Sequence, residues 1–194
     1  MSSIFHLYTK LGFQHITDLN AYDHILFIIA LTITYNVVEW KKLAILVTAF
    51  TIGHSLTLIL TVLDVIHPPV ALIEQLILIS ILLTCIYNFI WVWKSFSDKL
   101  SATTHYFIAL SFGLIHGMGF SSYLKAMLMP GEEDQLILQL FSFNVGIELG
   151  QLIIVAILLF LSYIVIQVLG VRRSIWVSLV SLVVFVWVLW LWLG

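Results

Sequence analysis

The chain has 194 residues, 62% of them hydrophobic and only 9% charged, with seven Trp, seven Tyr and thirteen Phe. A soluble domain carries roughly a quarter of its residues as charges, and a disordered chain lacks such apolar content, so both classes are excluded. Eight basic against ten acidic residues leave no electrostatic footprint for nucleic acid; the composition is that of an integral membrane protein.

Residues 1–20 mix apolar and polar groups without a long apolar run or a small-residue cleavage site. They predict an interfacial helix or an ordered cap, and no removable signal peptide. A helix needs about 20 apolar residues to cross the hydrocarbon core. Six stretches satisfy this: 22–38, 43–65, 70–93, 105–129, 136–168 and 174–193. Polar punctuation separates them, at Glu39-Trp40-Lys41-Lys42, His67-Pro68-Pro69, Ser95 to Ser101, Pro130 to Asp134 and Gly170 to Arg173. The expected fold is an all-α, polytopic bundle of six transmembrane helices, one transmembrane domain over residues 1–194.

Lys41, Lys42, Lys94, Lys99, Arg172 and Arg173 fall in alternate loops. Basic residues in short loops mark the cytoplasmic side, so both termini are expected outside. The lone cysteine, Cys85, removes disulfides and thiolate clusters. Any metal must then be held by imidazole, carboxylate, amide, hydroxyl or thioether.

Ionisable side chains within a span are costly and point to function. Asp23 and His24 open the first span, His54 lies within the second, His116 within the fourth and Glu148 within the fifth. Asn144, Glu148 and Gln151 share one helix face by their spacing, as do Thr51 and His54, with Ser55 alongside. Gly113 and Gly117 bracket His116, and Gly146 and Gly150 bracket Glu148, in small-xxx-small pairs that permit close helix approach. The second and fourth spans also share a Phe-x-x-x-His-small pattern, Phe50/His54/Ser55 and Phe112/His116/Gly117. Imidazole with carboxylate suits nickel, cobalt, zinc or manganese, and ligand softness alone does not choose among them. The predicted ligands are Asp23, His24, His54, His116 and Glu148, with Ser55, Asn144, Gln151 and His15 as supporting or pathway groups.

Four ordered strings carry a family resemblance. They are Asp23-His24-Ile25-Leu26-Phe27, Phe50-Thr51-Ile52-Gly53-His54-Ser55-Leu56-Thr57-Leu58, Phe112-Gly113-Leu114-Ile115-His116-Gly117-Met118-Gly119-Phe120 and Phe143-Asn144-Val145-Gly146-Ile147-Glu148-Leu149-Gly150-Gln151-Leu152. Together they resemble the HupE/UreJ membrane proteins, in particular the second branch. The resemblance implies a multi-pass protein of the bacterial inner membrane and a secondary permease for nickel or cobalt, associated with supplying hydrogenase or urease. The family's His-x5-Asp-His motif would correspond to His15, Asp23 and His24. Here seven residues separate His15 from Asp23, and Asn20-Ala21 stands where a glycine is expected.

Plainer roles compete with these. His6, His67 and His105 lie near predicted interfaces, where a solvated role is expected, and Asn88 is expected to hydrogen-bond between helices. Glu74, Gln75 and the Glu132-Glu133-Asp134 run are expected at the surface, and Met118, Met127 and Met129 as apolar filler. The leading functional expectation is a permease for a divalent cation. The alternatives are an intramembrane zinc hydrolase or peptidase using the same His/acid centre, and a non-catalytic membrane subunit. The expected partners are the lipid bilayer and a divalent metal ion (nickel, cobalt or zinc), with a homo-oligomer left open.

Overall fold

The computed structural model describes residues 2–19, 22–94, 102–127 and 133–193, and their regular structure is helical throughout. In chain order the helices are α1 (Ser2–Thr17), α2 (Tyr22–Thr32), α3 (Trp40–Val62), α4 (Val70–Trp93), α5 (Ala102–Met127), α6 (Leu136–Tyr163) and α7 (Arg173–Leu193). A 3-10 turn, Val37–Glu39, leads into α3, and a π-helical turn, Ile164–Val168, extends α6. Pro69 caps the start of α4, where its missing N–H costs nothing.

Among the described residues, four helical stretches are long and apolar enough to cross a membrane: Val37–Val62, Val70–Trp93, Leu136–Val168 and Arg173–Leu193. α5, expected as the fourth span, runs over 26 residues, Ala102–Met127.

The first predicted span, 22–38, is corrected by the structure. α2 has only 11 residues, about 16 Å at 1.5 Å per residue, against about 30 Å of hydrocarbon. Its end is held by tertiary contacts. An Arg173 guanidinium N–H donates to the Thr34 carbonyl at 2.5 Å, and the Asn36 N–H donates to Glu39 Oε2 at 3.1 Å, setting the turn before α3. Such partners satisfy the backbone groups that a helix end exposes.

α1, expected as an interfacial helix or an ordered cap, packs along α6. A Cβ on Gly146 would collide with the Thr9 carbonyl, and one on Gly150 with the side chain of Ile16. Ascending positions in α1 thus meet ascending positions in α6, so the two run in the same sense. After α2 the chain reaches Val37, which lies with Leu159, Phe160 and Tyr163 at the far end of α6. The two short helices follow α6 in series, and the interruption between Thr17 and Tyr22 falls beside its middle.

α3 and α5 form the other glycine seam. A Cβ on Gly53 would strike the Leu110 carbonyl, one on Gly113 the Phe50 carbonyl and one on Gly117 the His54 carbonyl. These helices also run parallel, as the shared Phe-x-x-x-His pattern anticipates. Apolar side chains gain little by leaving lipid, so close backbone packing supplies the association. Thr57 adds a hydrogen bond across the seam, donating to the Leu114 carbonyl at 2.8 Å. Asn88 joins α4 to two neighbours as expected, donating to the Ala30 carbonyl at 2.8 Å and to Ser181 Oγ at 3.1 Å. The outward face of α7 is apolar, with Leu179, Leu182, Val183, Val186 and Trp190 exposed, which suits contact with acyl chains.

Candidate metal centre

Each histidine of the central cluster arrives on a different helix. His15 lies in the last turn of α1 and Asp23 in the first turn of α2, followed by His24. The aligned peptide dipoles make a helix C-terminus favourable to a cation and an N-terminus favourable to a carboxylate, so the interruption between α1 and α2 suits both. His54 comes from α3 and His116 from α5, levelled by the seam in which Gly117 abuts the His54 carbonyl.

The rings converge. His24 lies 4.8 Å from His15 and 4.9 Å from His116 between centroids, and His54 is 6.4 Å from both His15 and His24. One potential ligand atom from each of His15, His24 and His54 falls within 4.8 Å of the others, and the same holds for Asp23, His24 and His116. His24 belongs to both groups. His54 is fully buried, His116 is 1% exposed and His24 5%.

Hydrogen bonds fix which nitrogens face inward. His24 Nδ1 meets Asp23 Oδ1 at 3.1 Å, and His116 Nδ1 meets the Phe112 carbonyl at 2.9 Å. Both acceptors require a proton on Nδ1, which leaves the Nε2 lone pairs available. Neither Nε2 has a hydrogen-bond partner, nor does either nitrogen of His54. A buried polar atom left unsatisfied costs about 1–3 kcal/mol, so several gathered in one place are an unusual expense. A divalent cation accepting these lone pairs would remove it. A histidine whose other nitrogen is held by a carboxylate is also a common arrangement around bound metal.

Asn144 adjoins His54. Its Nδ2 donates to the Leu140 carbonyl at 2.8 Å, while its Oδ1 is buried without a partner. Ser55 donates to the Thr51 carbonyl of its own helix at 2.7 Å. Gln151 accepts from Thr51 Oγ1 at 3.0 Å, linking α6 to α3.

Glu148 is not brought into the cluster. Its Oε1 pairs with Thr48 Oγ1 at 2.6 Å, and it stands outside both ligand groups. Sequence spacing identified its helix face but not the α3 threonine that faces it. Conversely, His15 joins the histidines although seven residues separate it from Asp23. His105, expected to be solvated, is 4% exposed and lies edge-on to Tyr35 and Tyr87. His67 is exposed beside Asp64 as expected, and Met118 packs on the apolar core. The Glu132 end of the acidic run, Met129 and the side chain of Met127 lie outside the described residues.

No curated protein and no solved structure matches the chain. A family profile described as HupE / UreJ protein matches residues 1–193. The match extends past the four strings of polar and glycine residues to include α1 and α7, and the chain belongs to the HupE / UreJ family.

Proposed function

We propose that the protein is a membrane permease for a divalent transition-metal cation, nickel or cobalt, which it binds as substrate at the cluster of His15, His24, His54 and His116. The observation that carries this reading is the convergence of partnerless buried nitrogens on His24, His54 and His116 from three helices. Neutral imidazole suits nickel, cobalt and zinc alike; family membership favours the first two. Asp23 orients His24 and balances part of the cation's charge. A site where a span is interrupted, with helix ends directed at the ion, is a recurrent solution for carriers.

Glu148 is read as a tie between α6 and α3 through Thr48. The hydrolase alternative needs a substrate groove reaching the metal. Phe27 packs against both Phe112 and His116, and His54 and His116 are buried. This arrangement favours a carrier holding an occluded ion.

The test is equilibrium binding of Ni2+ and Co2+ to purified protein, paired with flux into liposomes. Saturable binding and flux in the wild type, both lost in His54→Ala, are expected. A wild type that neither binds nor transports these ions would overturn the reading.

A further inference from the structure

Polar side chains of α3 and α6 meet in rungs. Thr48, Thr51 and His54 follow one another along α3, and Asn144, Glu148 and Gln151 share one face of α6. Two rungs are closed by hydrogen bonds between the helices. Thr48 Oγ1 donates to Glu148 Oε1 at 2.6 Å, and Thr51 Oγ1 donates to Gln151 Oε1 at 3.0 Å. The third rung, His54 beside Asn144, is open.

The open rung is the one that reaches the histidine cluster. His54 is fully buried, and neither of its ring nitrogens has a hydrogen-bond partner. Asn144 is 9% exposed. Its Nδ2 donates to the Leu140 carbonyl at 2.8 Å, an oxygen that can only accept, so the orientation of the amide is set. That leaves Oδ1 as the buried atom without a partner. His24 and His116 differ from His54 in this respect. Each has its Nδ1 held by an acceptor, Asp23 Oδ1 and the Phe112 carbonyl respectively, and so has a defined tautomer.

We propose that Asn144 is the positioning residue of His54. When a cation enters the cluster, one ring nitrogen of His54 gives its lone pair to the ion and the other donates its N–H to Asn144 Oδ1. The role rests on the permease reading. A neutral imidazole carries one N–H and one lone pair, so a single tautomer supplies both bonds. Closing the rung satisfies Oδ1 and one ring nitrogen together, and the ion satisfies the other nitrogen. Groups placed behind a ligating histidine fix its ring and raise the basicity of the nitrogen on the metal. Glu148 and Gln151 hold this face of α6 against α3, which keeps the amide of Asn144 within reach of the ring.

Two variants and one spectrum test the role. Asn144→Leu keeps the size of the side chain and removes its acceptor; it is expected to weaken equilibrium Ni2+ binding by about 10–100-fold, and unchanged affinity overturns the proposal. Asn144→Asp keeps an oxygen acceptor in that place and is expected to bind within about threefold of the wild type. A loss as large as that of Asn144→Leu would make the effect one of packing and overturn the role. With Co2+ at saturation, the visible absorption bands of Asn144→Leu are expected at the wild-type positions, because the ion's own ligands are unchanged. Displaced bands would make Oδ1 a direct ligand and overturn the positioning role. A wild type that binds neither ion overturns the permease reading itself, whereas wild-type binding with equal affinity in Asn144→Leu overturns the role of Asn144 alone.

Discussion

The carboxylate of Asp23 accepts a hydrogen bond from Nδ1 of the adjacent His24 across 3.1 Å. Because that bond fixes the tautomer, the buried Nε2 lone pair of His24 is the one left to bind a cation. Replacing Asp23 by Asn leaves the volume nearly unchanged but removes the charge that holds the ring. Asp23→Asn is expected to weaken Ni2+ binding by about 10–100-fold, as such supporting groups do. Equilibrium dialysis reads the affinity, and an unchanged circular-dichroism spectrum excludes a folding defect.

The cluster histidines and the peripheral ones are expected to separate cleanly. His116→Ala removes a buried nitrogen without a partner and should lower Ni2+ affinity by more than about tenfold, or ~1.4 kcal/mol. His67→Ala alters an exposed pair with Asp64 and should leave affinity unchanged. Titration of both variants against the wild type decides the matter; equal losses would place the binding elsewhere.

Glu148→Gln preserves a side-chain oxygen that can still accept from Thr48 Oγ1. If Glu148 serves as a tie between helices, this variant should bind Ni2+ within about threefold of the wild type, less than ~0.7 kcal/mol. A loss of a hundredfold would instead restore a ligand role for its carboxylate.

The glycine seam between α3 and α5 has little tolerance. In Gly53→Ala the new Cβ would meet the Leu110 carbonyl, a backbone atom that cannot swing aside. Overpacking of this kind typically costs about 1–3 kcal/mol, and the midpoint of thermal unfolding in detergent should fall. Gly119→Ala is the control. Its Cβ would make ordinary contact with Ile73 at 3.4 Å and Ile77 at 3.5 Å, so the midpoint should stay near that of the wild type.

Much of the architecture was legible in the residues. The apolar runs located α3, α4, α6 and α7 to within a few positions, because each is bounded by charge, proline or glycine. Glycines spaced four apart around His116 and Glu148 announced two tight helix contacts, and both contacts exist. His24, His54 and His116 stood out because polar groups are scarce within the spans.

What the tertiary structure decided concerns which side chains meet. Composition marked residues 22–38 as one span, whereas α2 ends at Thr32, where Arg173 and Glu39 satisfy the backbone around the turn. His15 joins the cluster despite its spacing because α1 packs along α6 and ends beside the other imidazoles. Glu148 leaves it because Thr48 faces its carboxylate. The physical reason is common to all three. Lipid and protein interior are both apolar, so a membrane helix shows little contrast between its two faces. The sequence therefore determined the solvent, most of the spans and the scarce polar groups, while only packing could determine which of those groups share a centre.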